Sequence, residues 1–272
     1  MKHFRTNRAL TLGEIQKFAP AALADKAGAD VSKNYSFLST KKVIDTLERK
    51  NIVPYSVTQT SARSEYTKET AKHMLRFRQK NFKVSLGELI PEIVLETSHD
   101  AKSAFRFSLG IYRLICSNGL VAPHSIFKTI SIRHMKATDA DVIDAAFEVL
   151  EKCDDVVTNI SNMKQINLSQ EQKYNFAKNA FELRWKAAEA PQISPINLLE
   201  PRRYEEKGNN LWNTFNVIQE NLVRGGIGFY KLDHAQSPIK WQRTREVNSI
   251  SKNLELNKNL WELANHYLFL KS

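Results

Sequence analysis

Between residues 52 and 134 the apolar residues of this chain recur at every second position, and repeated segments of that period are the signature of strands laid side by side in a sheet. "IVPYSVTQTSAR" alternates Val53, Tyr55 and Val57 with polar neighbours. "KHMLRFRQK" sets His73, Leu75 and Phe77 on one face and Met74, Arg76, Arg78 and Lys80 on the other. "PEIVLETSH", "AFRFSLGIYRLICS" and "TISIRH", the last with Ile130 and Ile132, continue the pattern. Five consecutive strands are therefore predicted.

On both sides of this block the period returns to about 3.6. "TLGEIQKFAPAAL" opens with Thr11 and has Glu14 three positions on, a reciprocal capping pair ahead of Ile15 and Phe18, with a stop near Pro20. "STKKVIDTLERKN" places Val43, Ile44 and Leu47 at helical spacing behind a Ser/Thr cap. After the strands, "TDADVIDAAFEVLEKC" starts at Thr138, carries acids in its first turn, and marks an apolar stripe with Val142, Ala145, Ala146, Val149 and Leu150. The last three strands with this helix make a β-β-β-α unit. Beyond it, "SQEQKYNFAKNAFELRWKAAE", with Phe176, Ala180, Leu183 and Trp185 inward, "NNLWNTFNVIQENLVRGG" and "NKNLWELANHYLFLK" read as helices, while "GIGFYKLDHAQSPIKWQRTRE" reads as a Gly-rich basic loop. The expectation is an α+β protein. An antiparallel sheet with packed helices occupies residues 1–155, and a mainly helical region occupies 156–272.

A chain of 272 residues that is 42% apolar buries a sizeable core as one large domain or two smaller ones. It contains no apolar run long enough to span a membrane, and "MKHFRTNRAL" lacks the apolar stretch of a secretory signal, so a cytoplasmic protein with no membrane partner is expected. Cys116 and Cys153 are two thiols beside apolar residues, which points to buried structural cysteines and to no metal site or cofactor.

The net charge of +11 is unevenly spread: residues 49–83 hold nine Lys and Arg against two acids. Positive charge concentrated in this way favours a polyanion, because each neutralised phosphate releases condensed cations. On a strand, Arg76, Arg78 and Lys80 would form a row spaced by twice the strand rise, about 6.6 Å, close to the phosphate spacing of an extended single strand. On a helix, Lys68, Lys72, Arg76 and Lys80 would form an i,i+4 stripe instead. Arg63 lies nearby, and Arg202, Arg203, Arg243 and Arg245 fall in loops. Tyr66, Phe77, Phe105 and Phe107 are aromatics for base stacking or, equally, for the core. The simpler reading is a solvated basic face.

"TSHD" poses a choice between chemistry and a turn. Adjacent His99 and Asp100 point to opposite faces of a strand, which argues against a local dyad. Glu92, Glu96 and Asp100 share one face of a regular strand, so a carboxylate cluster for Mg²⁺ is conceivable, with His99 beside it. The alternative is a half-buried strand that ends in a turn. "SNGL" with Asn118–Gly119 reads as a hairpin turn, and "RGGIG" as a helix C-cap, because no strand precedes it and no Gly-Lys-Ser/Thr follows.

Taken in order, "KHMLRFRQK", "IPEIVLETSHDAKSAFRF", "GIYRLICSNGLV", "PRRYEEKGNNLWNTFNVIQENLVRGG" and "NKNLWELA" resemble the YfjQ/YafZ-like family of uncharacterised prophage and plasmid proteins over nearly the whole chain. The resemblance implies a gene carried by mobile elements and assigns no activity. At the level of topology the helix, strands and β-β-β-α unit also resemble the core of phage single-strand annealing recombinases, which would imply homo-oligomers around DNA and no catalytic residue. Three functions follow as expectations. The first is a non-enzymatic nucleic-acid-binding protein, with DNA the favoured ligand, acting in mobile-element DNA processing or recombination through Arg63, Lys72, Arg76, Arg78, Lys80, Arg202, Arg203, Arg243 and Arg245. The second is an anti-defence or regulatory protein that binds a host protein. The third is a metal-dependent nuclease using Glu92, Glu96, His99 and Asp100.

Overall fold

Helices start where a side chain can take up an otherwise orphaned backbone amide. Thr11 accepts from the Glu14 amide and Glu14 accepts from the Thr11 amide, so α1 (Leu12–Phe18) begins where the capping pair predicts. It follows a short strand, β1 (Lys2–Arg5), and runs into a 3-10 turn at Pro20–Leu23. Ser39 caps α2 (Thr40–Arg49), which buries Val43, Ile44 and Leu47. The computed structural model describes residues 1–61, 65–80, 89–113, 120–121, 130–132, 138–151, 153–186, 190–231 and 240–269. Cys116, Asn118–Gly119, Arg63 and the side chains of Tyr66 and Cys153 lie outside the described residues.

The five period-2 segments form β2 (Ile52–Gln59), β3 (His73–Gln79), β4 (Leu89–Thr97), β5 (Phe105–Arg113) and β7 (Ile130–Ile132); a two-residue strand that the pattern did not reveal, β6 (Leu120–Val121), lies between β5 and β7, and a one-turn helix, α3 (Glu65–Lys68), between β2 and β3. They pair antiparallel in the order β1-β2-β3-β4-β5-β6, and β7 also pairs with β5. β1 escapes sequence reading because its four residues carry no alternation; its place is fixed by pairing, with Phe4 opposite Val57 and Arg5 opposite Ser56. Pro54 cannot donate to the ladder, and the β2–β3 register shifts there, a bulge that leaves the Pro54 and Tyr55 carbonyls to accept from the Leu10 and Thr6 amides.

α4 (Asp139–Glu151), capped by Thr138 and Asp141, packs with α2 against the sheet. The alternation predicted the composition of this layer. Val57, Leu75, Phe77, Ile93, Leu95, Phe105 and Phe107 are buried from the sheet, and Ile44, Leu47, Val142 and Ala146 from the helices. Phe77, Phe105 and Phe107 are thus core and unavailable for stacking on bases.

The chain divides into two compact units, Met1–Asp154 and Asp155–Ser272. The second contains most of α5 (Cys153–Gln165), a helix the sequence pattern did not reveal, with α6 (Gln170–Arg184), α7 (Leu211–Arg224) and α8 (Ile250–Phe269). α7 is buried on all sides from Leu211 to Trp212 and from Thr214 to Val223. Its Phe215 ring meets Trp261 of α8 edge to face at 5.7 Å, and its Gln219 donates to Asn257 at 2.9 Å. Phe176 and Ala180 of α6 are buried as expected, but Leu183 is exposed and Trp185 stands past the helix end against Phe181 and Arg184. The segment expected as a basic loop begins and ends in strands, β8 (Gly228–Lys231) and β9 (Lys240–Arg243), paired antiparallel.

Candidate nucleic-acid interface

The row of cations expected on β3 is not a solvated face. Arg76 and Arg78 are 3% and 5% exposed, because β3 is an interior strand whose polar side meets Glu92 of β4. Arg78 Nε donates to Glu92 Oε1 at 2.8 Å, and Arg76 Nη1 lies 3.0 Å from Glu92 Oε2. The Arg78 guanidinium also sits 4.7 Å from the centre of the Tyr55 ring. Gly110 opposes Glu92 on β5 and leaves space for this cluster: a Cβ there would come within 2.7 Å of Val94 and 3.4 Å of Arg76 Nη2. Burial alone would push the Glu92 carboxyl up, but the guanidiniums of Arg76, Arg5 and Arg78 together outweigh it and hold the group below its ordinary value. Burial lowers Arg76 to about 10, which still leaves it charged at neutral pH. Lys72 pairs with Glu96 at 2.9 Å, and Arg106 approaches the same carboxylate at 3.8 Å. Of the β3 candidates Lys80 alone is exposed, just past the strand end.

The carboxylates that a metal-dependent nuclease would need do not converge with His99. Glu92 and Glu96 are held by different cations, and Asp100 lies beyond the end of β4, where it accepts from the Lys102 amide at 3.0 Å and from the Ser98 hydroxyl. This is a side-chain-closed turn, completed by Ala101 at φ +59°. His99 is buried on the helix-packed side. Its ring stands 5.1 Å from that of His73, and its Nε2 lies 3.4 Å from Thr40 Oγ1, to which His73 Nε2 comes within 2.9 Å. His73 Nδ1 lies 3.0 Å from the Ala71 carbonyl and so carries the ring proton, which leaves Nε2 to accept from the Thr40 hydroxyl. Burial lowers His73 to about 4, a neutral structural histidine at the start of β3 that is held against Thr40 of α2. Among the described residues no three His, Cys, Asp or Glu side chains are placed to hold a metal ion.

In the second unit, "PRRYEEKGNN" folds back on α7. Arg203 forks onto Glu220 at 2.5 and 2.6 Å and reaches Glu206 at 3.3 Å, while Arg224 closes on Glu220 at 2.8 Å. Arg202 Nε donates to Asn221 Oδ1 at 2.7 Å, and its Nη2 donates to the Gly225 carbonyl. Arg203 is therefore committed to the fold, whereas Arg202 is pinned yet exposed.

The exposed cations gather on the β8–β9 hairpin. From Arg224 to Arg245 the sequence has five cations, Arg224, Lys231, Lys240, Arg243 and Arg245, against the single acid Asp233. Lys231, Lys240, Arg243 and Arg245 are all exposed. Pairing sets Gly228 opposite Arg243 and Tyr230 opposite Trp241, so these four share one face, while Lys231, Lys240 and Gln242 project from the other. Tyr230 and Trp241 are 63% and 56% exposed, yet their rings meet at 4.8 Å in an edge-on arrangement. Trp241 lies over Gly228, where a Cβ would come within 2.1 Å of the indole.

The base of the hairpin is anchored to the end of α7. Gly225 at φ +62° and Gly226 at φ +82° turn the chain, and a Cβ on Gly225 would come within 2.5 Å of the Arg245 carbonyl. The Gly226 amide donates to Thr244 O at 2.7 Å, the Ile227 amide to Thr244 Oγ1 at 3.1 Å, and Val247 to the Val223 carbonyl at 2.9 Å. "RGGIG" is accordingly a helix stop, and it launches a cationic strand pair, anchored at its base, that bears two exposed aromatics. Sequence reading had named Arg243 and Arg245 but missed Lys231, Lys240, Tyr230 and Trp241; the alternation in "FYK" and "KWQR" was the available signal.

The chain is 32% identical over 260 residues to the UPF0380 protein YafZ of Escherichia coli K12 and 31% identical over 260 residues to the UPF0380 protein YfjQ of the same organism. Each alignment covers 96% of this chain and 92% of the relative. No solved structure matches it. Residues 29–261, which include the charged sheet face and the hairpin, match the family model described as a domain of unknown function, DUF932, and the chain belongs to that family.

Proposed function

We propose that this protein binds nucleic acid through the β8–β9 hairpin, as a non-enzymatic component of mobile-element DNA processing. The observation that carries the reading is the exposed Tyr230–Trp241 pair, which shares its face with Arg243, on an anchored two-stranded ribbon whose other face carries Lys231 and Lys240 and whose last strand runs on to Arg245. Large exposed aromatics are costly on a surface that meets only water, and cations beside them supply phosphate contacts while the rings supply stacking. A two-stranded ribbon is also narrow enough to follow a groove or a single strand. Phosphate contacts fix register and carry no sequence information, so the binding is largely sequence-independent and salt-sensitive.

The non-enzymatic part is supported by the engagement of the polar groups that might have reacted. Glu92 and Glu96 are held by cations, and His73 and His99 share the Thr40 hydroxyl. The test is fluorescence anisotropy with labelled single-stranded and duplex oligonucleotides, with and without Mg²⁺, the products being run on a denaturing gel. Retention of intact oligonucleotide is the expected result. Cleavage would favour the nuclease, and the absence of both would favour a host-protein partner.

A further inference from the structure

Trp241 borders a cleft of roughly 390 Å³ that is also lined by Arg202, Asn221, Glu200 and Gly226. Resting on the nucleic-acid reading above, we infer that this cleft takes one unstacked nucleotide of a single strand, with the base against the Trp241 indole and the phosphate at Arg202.

Both contacts are preorganised. The indole is held by its edge-on contact with the Tyr230 ring at 4.8 Å and by its seat on Gly228, so little ring freedom is lost when a base stacks on it. Arg202 is fixed by Asn221 Oδ1 and the Gly225 carbonyl, and Asn221 is itself fixed because its Nδ2 donates to the Leu198 and Glu200 carbonyls at 3.0 and 2.9 Å. Two of the three guanidinium nitrogens are thus engaged, and the residue lines the cleft with its charge fixed in place. A phosphate oxygen suits that fixed charge.

Strandedness follows from the ring. A duplex shows base edges in its grooves while its base faces are stacked on one another, so a fixed indole face finds a stacking partner only in an unpaired base. The cleft deepens the hairpin site from an electrostatic footprint to a single-strand reader.

The test uses the full chain with a labelled thymidine oligonucleotide and a duplex of equal length, read by anisotropy and by tryptophan fluorescence. The single strand is expected to bind more tightly and to quench fluorescence. Trp241→Leu, an exposed position whose variant is checked by thermal melting, should lower single-strand affinity about 5- to 100-fold, remove the quench and leave duplex binding unchanged. Arg202→Lys, which keeps the charge and loses the fixed fork, should weaken the single strand selectively as well. Equal losses on both ligands, or none, overturn the inference and leave the hairpin reading intact. Failure of the wild-type protein to bind either ligand overturns both.

Discussion

Replacing Glu92 with Gln tests whether the charged sheet face is structural. Glu92 is fully buried between Arg76 at 3.0 Å and Arg78 at 2.8 Å, with Arg5 close enough to bear on its ionisation. Each pair at about 3 Å attracts with roughly 5–6 kcal/mol at an effective dielectric constant of about 20, most of which offsets the cost of taking the ions out of water. Removing the one carboxylate takes away the negative charge that Arg76 and Arg78 share in a buried site, and breaking such a pair from one side costs about 3–5 kcal/mol. In urea, with a slope of about 2 kcal/mol per molar, the midpoint should fall by about 1.5–2.5 M with the slope unchanged. Arg76→Met should lower it by a similar amount, and the double variant Glu92→Gln with Arg76→Met by less than the sum of the two single changes. A shift below about 1 kcal/mol for Glu92→Gln would show that water screens the cluster, and would refute the assignment of Arg76 and Arg78 to the fold rather than to ligand.

Three further outcomes are expected. His73 is neutral in the native state because burial lowers it to about 4, whereas the unfolded chain takes up a proton near 6.5. The His73 contribution is therefore full above pH 6.5 and is lost, by about 3 kcal/mol, as the pH drops to 4; His3, lowered to about 4 by burial and by Arg5 and Arg76, adds to the same slope, so His73→Phe should reduce it in urea melts across that range and leave the His3 part. Glu220→Gln removes the negative charge that Arg203 and Arg224 share inside the second unit and should cost about 2–4 kcal/mol by thermal or urea melting; an unchanged melt would show that the fork carries no stability. Gly225→Ala puts a Cβ into the Arg245 and Thr244 carbonyls at a positive φ, so it should destabilise by about 1–3 kcal/mol and weaken nucleic-acid binding by displacing the hairpin.

The sheet was legible because alternation survives in β2 to β5, where each strand has one face against α2 and α4. Capping pairs located α1 and α4 for the same local reason. Alternation assigns a residue to a face, however, and does not say what the other face meets. Arg76, Arg78 and Glu92 are distant in sequence, and only the β3–β4 pairing reveals that the cations answer a buried carboxylate. β1 has no periodicity of its own, and α5 carries a weak stripe. The hairpin was missed because four-residue strands hold too few repeats to establish a period, so Tyr230 and Trp241 were read as loop residues. "TSHD" is a turn: Asp100 closes it, and His99 is turned inward onto Thr40.

The central claim places the nucleic-acid contacts on the hairpin. Its most direct test is the salt dependence of single-strand binding by the wild-type protein and by the variant combining Lys231→Ala, Lys240→Ala and Arg243→Ala, whose side chains are exposed on a strand pair and outside the core. Each lost phosphate contact lowers the slope of log K against log salt by about 0.7 on a single strand. The account predicts that the variant keeps its melting temperature, loses about 2 units of slope and no longer binds at physiological salt. An unchanged slope with full affinity would contradict it and return the search to the other exposed cations.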